Sequence, residues 1–310
     1  MKTRIAIFLG IILISNSLVA QLAPIKSIEG RWDISVTKGD KTMPSWLEVN
    51  HSGVKFLNGH FVGESGSARP ISRIYFTDDK MSFSIPPQWD NSEKDLVVEG
   101  VLKNDKLSGT MNTPKGETLS WVGVRAPKFD NTKNPVWGTP IKLFNGTNLD
   151  GWQAVGGENQ WIVEKGILKS PKSGANLRSI RTFNDFKLHV EFKYPEGSNS
   201  GVYLRGRYEL QVTDSKGREP LKDQLGAIYG FIAPLEIPAK AAGEWQSFDI
   251  TLVGKIVTVA LNGKTIIYKN EIPGITGGAL DSNEGEAGPI FFQGDHGAIE
   301  YRNIIITPAK

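Results

Sequence analysis

The sequence predicts an all-β protein: a smaller β-barrel or β-sandwich followed by a larger β-sandwich. Three observations predict it. Short runs of alternating apolar and polar residues recur along the chain, bounded by Gly, Pro, Asn or Asp, while helical periodicity is scarce. The run VTVALNGKTIIY, 257–268, sets Asn262-Gly263 between β-rich flanks, the favoured two-residue hairpin turn. The stretch APKFDNTKNPVWGTP, 126–140, holds three prolines and little periodicity. It reads as a break between two blocks, with the linker set at 126–137.

In chain order, residues 1–20 read as a secretory signal peptide. MKTR is basic, IAIFLGIILI is an apolar run too short to span a bilayer comfortably, and SLVA supplies small residues before Gln21. A periplasmic or secreted protein is expected, with no membrane insertion after signal removal. The chain has no cysteine, so its core must hold it without disulfides. Loss of Lys2 and Arg4 with the signal lowers the formal charge from +3 to +1. Nucleic-acid binding needs a clustered basic excess, so it is not expected.

The first block, 27–125, carries the strand-like runs RWDISV, SWLEV, RIYF, MSFSI and LVVEGVL and closes on LSGTMNTPKGETLSWVGVR. No chemistry is assigned to it. The second block, 138–308, holds FKLHVEFKY, SGVYLRGRYELQVTDS, SFDITLV, the Asn262-Gly263 hairpin and IFFQGDHG. In FKLHVEFKY, Phe186, Leu188, Val190 and Phe192 share one parity; Lys187, His189, Glu191 and Lys193 share the other. In SGVYLRGRYELQVTDS, read as one strand, Val202, Leu204, Tyr208, Leu210 and Val212 form the apolar parity. Tyr203, Arg205, Arg207, Glu209 and Gln211 form the polar one. Gly206 permits a bend that would turn Arg207 away as plain surface. In IFFQGDHG, Gln293 and Asp295 share a parity, and His296 follows in a bend between glycines.

Two sheets packed face to face bury their apolar parities. If the sheet is curved, its polar face is a groove where Glu191, Arg205, Glu209, Gln211, Gln293, Asp295 and His296 converge. An Arg and a Glu on a solvated face would otherwise contribute little. Asp295 beside His296 can set the tautomer and basicity of the imidazole. No G-x-S-x-G nucleophile motif occurs. His51, His60, His189 and His296 lie far apart and there is no Cys, so zinc is not expected. The acidic loop DSNEGE leaves a small allowance for a calcium ion near Asp281 and Asn283, without full EF-hand spacing.

Six motifs in order give the second block a resemblance. They are LFNGTNLDGW at 143–152, SNSGVYLRGRYELQVTDS at 198–215 and GAIYGFIAP at 226–234, then GEWQSFDI at 243–250, LNGK at 261–264 and GPIFFQGDHGAIEYRNI at 288–304. Over about 138–308 the chain resembles the 3-keto-disaccharide hydrolase domain family. The resemblance implies a concanavalin A-like jelly-roll sandwich and action on a sugar whose C3 hydroxyl has been oxidised to a ketone.

Such a ketone acidifies the C2 hydrogen, so the C1 oxygen can leave by elimination and water can add back. That chemistry needs a base, an acid and a donor at the enolate oxygen. The resemblance does not fix the individual roles; for this chemistry we assign Glu191 or His296 as base, Arg205 at the enolate, and Asp295 as orienter of His296 or as acid. Tyr203, Glu209, Gln211 and Gln293 would hold sugar hydroxyls, and Tyr229 and Trp152 could be ring platforms. Two alternatives stay open: a two-carboxylate glycosidase using Glu191 and Glu209, and a non-catalytic carbohydrate binder.

Overall fold

The structure, a computed structural model, describes residues 27–89, 91–130 and 134–310. The expected signal peptide at 1–20 lies outside the described residues, as does the 131–133 stretch of the expected linker. Among the described residues, no helix is long and apolar enough to cross a membrane.

The first block is a closed, antiparallel, up-and-down barrel of eight strands. They are β1 (Gly30–Lys38), β2 (Lys41–Ser52), β3 (Phe56–Val62), β4 (Arg69–Thr77), β5 (Lys80–Ile85), β6 (Leu96–Lys103), β7 (Lys106–Asn112) and β8 (Thr118–Arg125). Pairing of β1 with β8, from Trp32↔Arg125 to Thr37↔Ser120, closes it and leaves no open edge. Inward residues such as Trp32, Ile34, Leu47, Phe61, Phe83 and Trp121 fill it as a core of its own.

The second block is a sandwich of two sheets. Its early strands are β9 (Ile141–Lys142), β10 (Trp152–Val155), β11 (Ile162–Glu164), β12 (Ile167–Ser170), β13 (Asn176–Phe183) and β14 (Phe186–Lys193). The hairpin that follows is β15 (Asn199–Leu204) and β16 (Tyr208–Thr213). The rest are β17 (Gln246–Val253), β18 (Ile256–Leu261), β19 (Lys264–Glu271), β20 (Gly288–Phe292) and β21 (Ile299–Pro308). One sheet has the order β10-β13-β20-β15-β16. The other runs β11-β12-β21-β14-β17-β18-β19, with β9 on β21. The last strand thus lies centrally, between β12 and β14. The expected apolar parities face each other: Val202, Leu210 and Phe292 of one sheet and Leu188, Val190, Phe248 and Ile250 of the other share one core.

The barrel is packed on the sandwich. Trp46, on β2, belongs to the sandwich core and meets Phe231 edge-on at 5.4 Å between ring centroids. Gly274 lets that indole approach: a Cβ there would lie 2.2 Å from a Trp46 ring atom. Gly278 N donates to Glu64 O at 2.9 Å, and Arg31 pairs with both Glu48 and Glu271. The segment after the barrel is pinned too, with Phe129 lying 5.0 Å from the Arg205 guanidinium.

Candidate active site

The run read as one strand is a hairpin. Leu204 pairs with Tyr208, so Arg205-Gly206-Arg207 form its loop. Arg205 and Gly206 adopt left-handed φ values of +53° and +66°, and a Cβ on Gly206 would strike Leu280. The registers Tyr203↔Glu209 and Gly201↔Gln211 place those side chains on one face, because paired positions share parity. Phe291 of β20 pairs with both Tyr203 and Arg178, and Gln293 N continues the ladder to Gly201 O at 3.0 Å. This polar face is the floor of a cleft of about 990 Å3, at the large end for small-molecule sites.

The cleft brings together Tyr203, Glu209, Gln211, Tyr229, Gln293, Asp295 and His296. The opposite wall is the barrel: Lys41–Pro44 from the start of β2, Glu64–Gly66 after β3, and Trp89. Asn176 and Asn199 complete the floor. Sequence reasoning missed all of these. The barrel residues carry no local signal, because only docking of the two blocks turns them toward the sheet.

Glu209 is the buried carboxyl of the site, with 4% of its surface exposed. Its backbone is fixed on both sides, N to Thr276 Oγ1 at 2.9 Å and O from Tyr229 N at 3.0 Å. Burial pushes its pKa up to about 8; Asp295 adds to the rise, while Tyr203 and the charge of His296 oppose it. Glu209 is therefore mostly a neutral acid near pH 7. The Tyr203 hydroxyl on the same face donates to Gly277 O at 2.9 Å.

His296 stands half exposed with Nδ1 2.5 Å from Asp295 Oδ1. That hydrogen bond, against partial burial, raises the imidazole pKa above its ordinary value, and the Glu209 charge adds to it. Burial opposes ionisation of Asp295, but the His296 contacts and the Asn176 amide hold its carboxyl below the ordinary range. Asn176 also accepts from Gly294 N at 2.7 Å, fixing the bend that carries the pair. With Nδ1 on Asp295, Nε2 is the nitrogen left for a ligand. The buried Gln293 Oε1 has no hydrogen-bond partner in the cleft.

Three expected members are elsewhere. Glu191 lies on β14 in the other sheet, bonded to Arg302 Nε at 2.6 Å and Asn303 Nδ2 at 2.7 Å. Alternation put it on an outward face, but that face belongs to the opposite side of the sandwich. Arg205 sits in the hairpin loop, 1% exposed, and donates to Gly254 O while its guanidinium lies against Phe129 and Tyr208. The turn ends the alternation that had put it beside Glu209. Trp152 is no platform: it is in the core, stacked on Phe292 at 5.1 Å and bonded to Leu143 O.

The acidic loop is also spent. Arg207, 2% exposed rather than plain surface, holds Asp281 at 2.6 Å and Glu286 O at 2.9 Å. Glu284 is fully buried on Lys255 Nζ at 2.8 Å. A calcium ion near Asp281 and Asn283 would have to displace the guanidinium, so the donor set does not fit one. Among the described residues, no three His, Asp or Glu side chains gather as a metal site.

Comparisons with known proteins bear on this block. The profile of the 3-keto-alpha-glucoside-1,2-lyase-like domain matches residues 139–307. A 3-keto-disaccharide hydrolase of Bacteroides thetaiotaomicron is 23% identical over 183 residues, covering 46% of this chain. The chain spans 63% of that relative's length. Among solved structures, a glycosyl-hydrolase candidate from Parabacteroides distasonis is 30% identical, with TM-score 0.47, covering 58% of this chain and 93% of that one. A carbohydrate-binding module of Bacillus subtilis is 12% identical with TM-score 0.34, covering 50% of this chain and 93% of its own.

Proposed function

Because the chain belongs to the 3-keto-alpha-glucoside-1,2-lyase-like domain family through residues 139–307, we propose that it cleaves glycosidic bonds of 3-keto sugars by elimination and rehydration. The supporting observation is the buried Glu209 carboxyl, held neutral up to about pH 8, in the same cleft as the Asp295–His296 pair. One group is a proton donor near neutrality and the other an oriented base, as the reaction requires.

His296 Nε2 takes the C2 proton, and the C2 electron pair forms the enolate of the C3 ketone. The enolate collapses as the C1–O bond breaks, and Glu209 gives its proton to the leaving oxygen. Water then adds at C1, losing a proton to the Glu209 carboxylate, and His296 returns its proton to C2. Both groups end as they began, and the net change is hydrolysis. Arg205 has no place at the enolate oxygen; the side-chain donors that line the cleft include Asn199, Tyr229 and Lys41. Gln293 lines the same cleft and would hold a sugar hydroxyl. Glu191 and Glu209 stand on different sheets, so that pair cannot flank one glycosidic bond.

The test uses a 3-keto-disaccharide and its unoxidised parent in deuterated water. Cleavage of the keto sugar alone is expected, with deuterium at C2 of the product, because the Nε2 proton of half-exposed His296 exchanges with solvent before it returns to C2. Equal cleavage of both would sink the elimination route, and cleavage of neither would sink the enzymatic reading. Export belongs to the same proposal: protein recovered from the cell envelope or medium should begin at Gln21.

A further inference from the structure

A second cavity opens in the barrel, of about 320 Å3. Its walls include Val36, Phe61, Leu96, Met111 and Leu119. It adjoins the cleft: Met43, Glu64, Ser65 and Trp89 line both. The indole of Trp89 stands at that junction with 71% of its surface exposed. Single exposed apolar residues are ordinary, but this one is shared by two adjoining cavities.

Several polar side chains in the barrel cavity are occupied. Ser45 Oγ donates to Val62 O, Gln88 exchanges hydrogen bonds with Ser67, and Arg69 Nη1 donates to Pro86 O at 3.0 Å. A second sugar ring set against Val36, Phe61, Leu96, Met111 and Leu119 would bring hydroxyls whose desolvation that apolar wall does not compensate. An aromatic ring has no such cost. An apolar cavity of about 150 Å3 suffices for benzene, so this one has room for a substituted ring.

We propose that the barrel mouth is an aglycone site, and that the preferred substrates are glycosides with an aromatic leaving group seated between Trp89 and the apolar barrel wall. The inference rests on the proposed reaction only for the position of the sugar. It gives the first block a role in selecting the substrate, through walls outside the matched family region.

Binding decides it without turnover. Calorimetry on the full protein compares 4-nitrophenyl glucoside with methyl glucoside, both unoxidised. The aryl glycoside should bind at least tenfold more tightly. Leu119→Trp, which fills the cavity, should reduce that preference below twofold, and Trp89→Ala should reduce it at least threefold. Equal binding of the two glycosides by the unaltered protein overturns the proposal, as does an aryl preference that survives Leu119→Trp. Should that variant fail to fold, Trp89→Ala at its exposed position decides in the same way. Turnover of methyl 3-keto-glucoside is measured alongside. Its absence in the unaltered protein overturns the reaction while the binding comparison still decides the aglycone site.

Discussion

Glu209 and His296 carry opposite requirements, and their shifts set a pH window. The base must be neutral, so turnover rises with pH through the His296 pKa, which Asp295 has lifted above its ordinary value. The acid must hold its proton, so turnover falls as pH passes about 8. A bell-shaped kcat/KM profile between those limits is expected. Glu209→Gln should erase the alkaline limb along with most of the rate. His296→Ala should cost about 10² to 10⁴ in kcat, the usual worth of a positioned base. Glu191→Gln should leave kcat/KM within about twofold, as expected of a partly exposed residue outside the cleft. A large loss there would mean the site has been misplaced. The sequence did name Glu209 and the Asp295–His296 pair. It assigned Glu209 to hydroxyl binding, or to a carboxylate pair with Glu191, because alternation cannot distinguish a solvated carboxylate from a buried one.

The β15–β16 hairpin is the element that builds the floor. Its strands are buried on both faces, one against the opposing sheet and one beneath the cleft. Gly201 stands beside Glu209 across the pair, and a Cβ there would lie 2.4 Å from the Glu209 Oε1. Gly201→Ala must therefore push the carboxyl aside. A kcat/KM loss on the order of 10²-fold is expected, the scale of a small misplacement of a reacting group. Steady-state kinetics and a melting curve check it: loss of activity with a retained cooperative melt supports the placement, and unchanged activity contradicts it. The same hairpin shows where periodicity failed. A three-residue loop at Arg205–Arg207 kept the parity of Glu209 and Gln211 intact. The loop residues themselves left the alternation, which is why Arg205 and Arg207 were misread.

For the whole molecule, the barrel works as the second wall of the cleft. Trp46 is its anchor, fully buried in the core of the other block and fitted against Gly274. Trp46→Ala should cost about 3–5 kcal/mol, as large buried aromatics do. It should also loosen the barrel wall, so KM for the keto sugar should rise in the fraction that stays folded. Thermal unfolding and kinetics measure the two effects. A destabilised variant with unchanged KM would show that the barrel wall plays no part in binding.

By itself the sequence determined the all-β class, the two blocks, the family resemblance and the polar row on the hairpin. These follow from periods of two residues, turn chemistry and short motifs, all local properties. Tertiary structure decided which sheet each strand joined, and so which polar row faced the cleft and which faced away. It placed Glu191 on the far sheet, turned Arg205 inward and brought Trp89 opposite Glu209's floor. It also raised the Glu209 pKa, because burial depends on what covers a side chain and the covering residues lie far away in the chain.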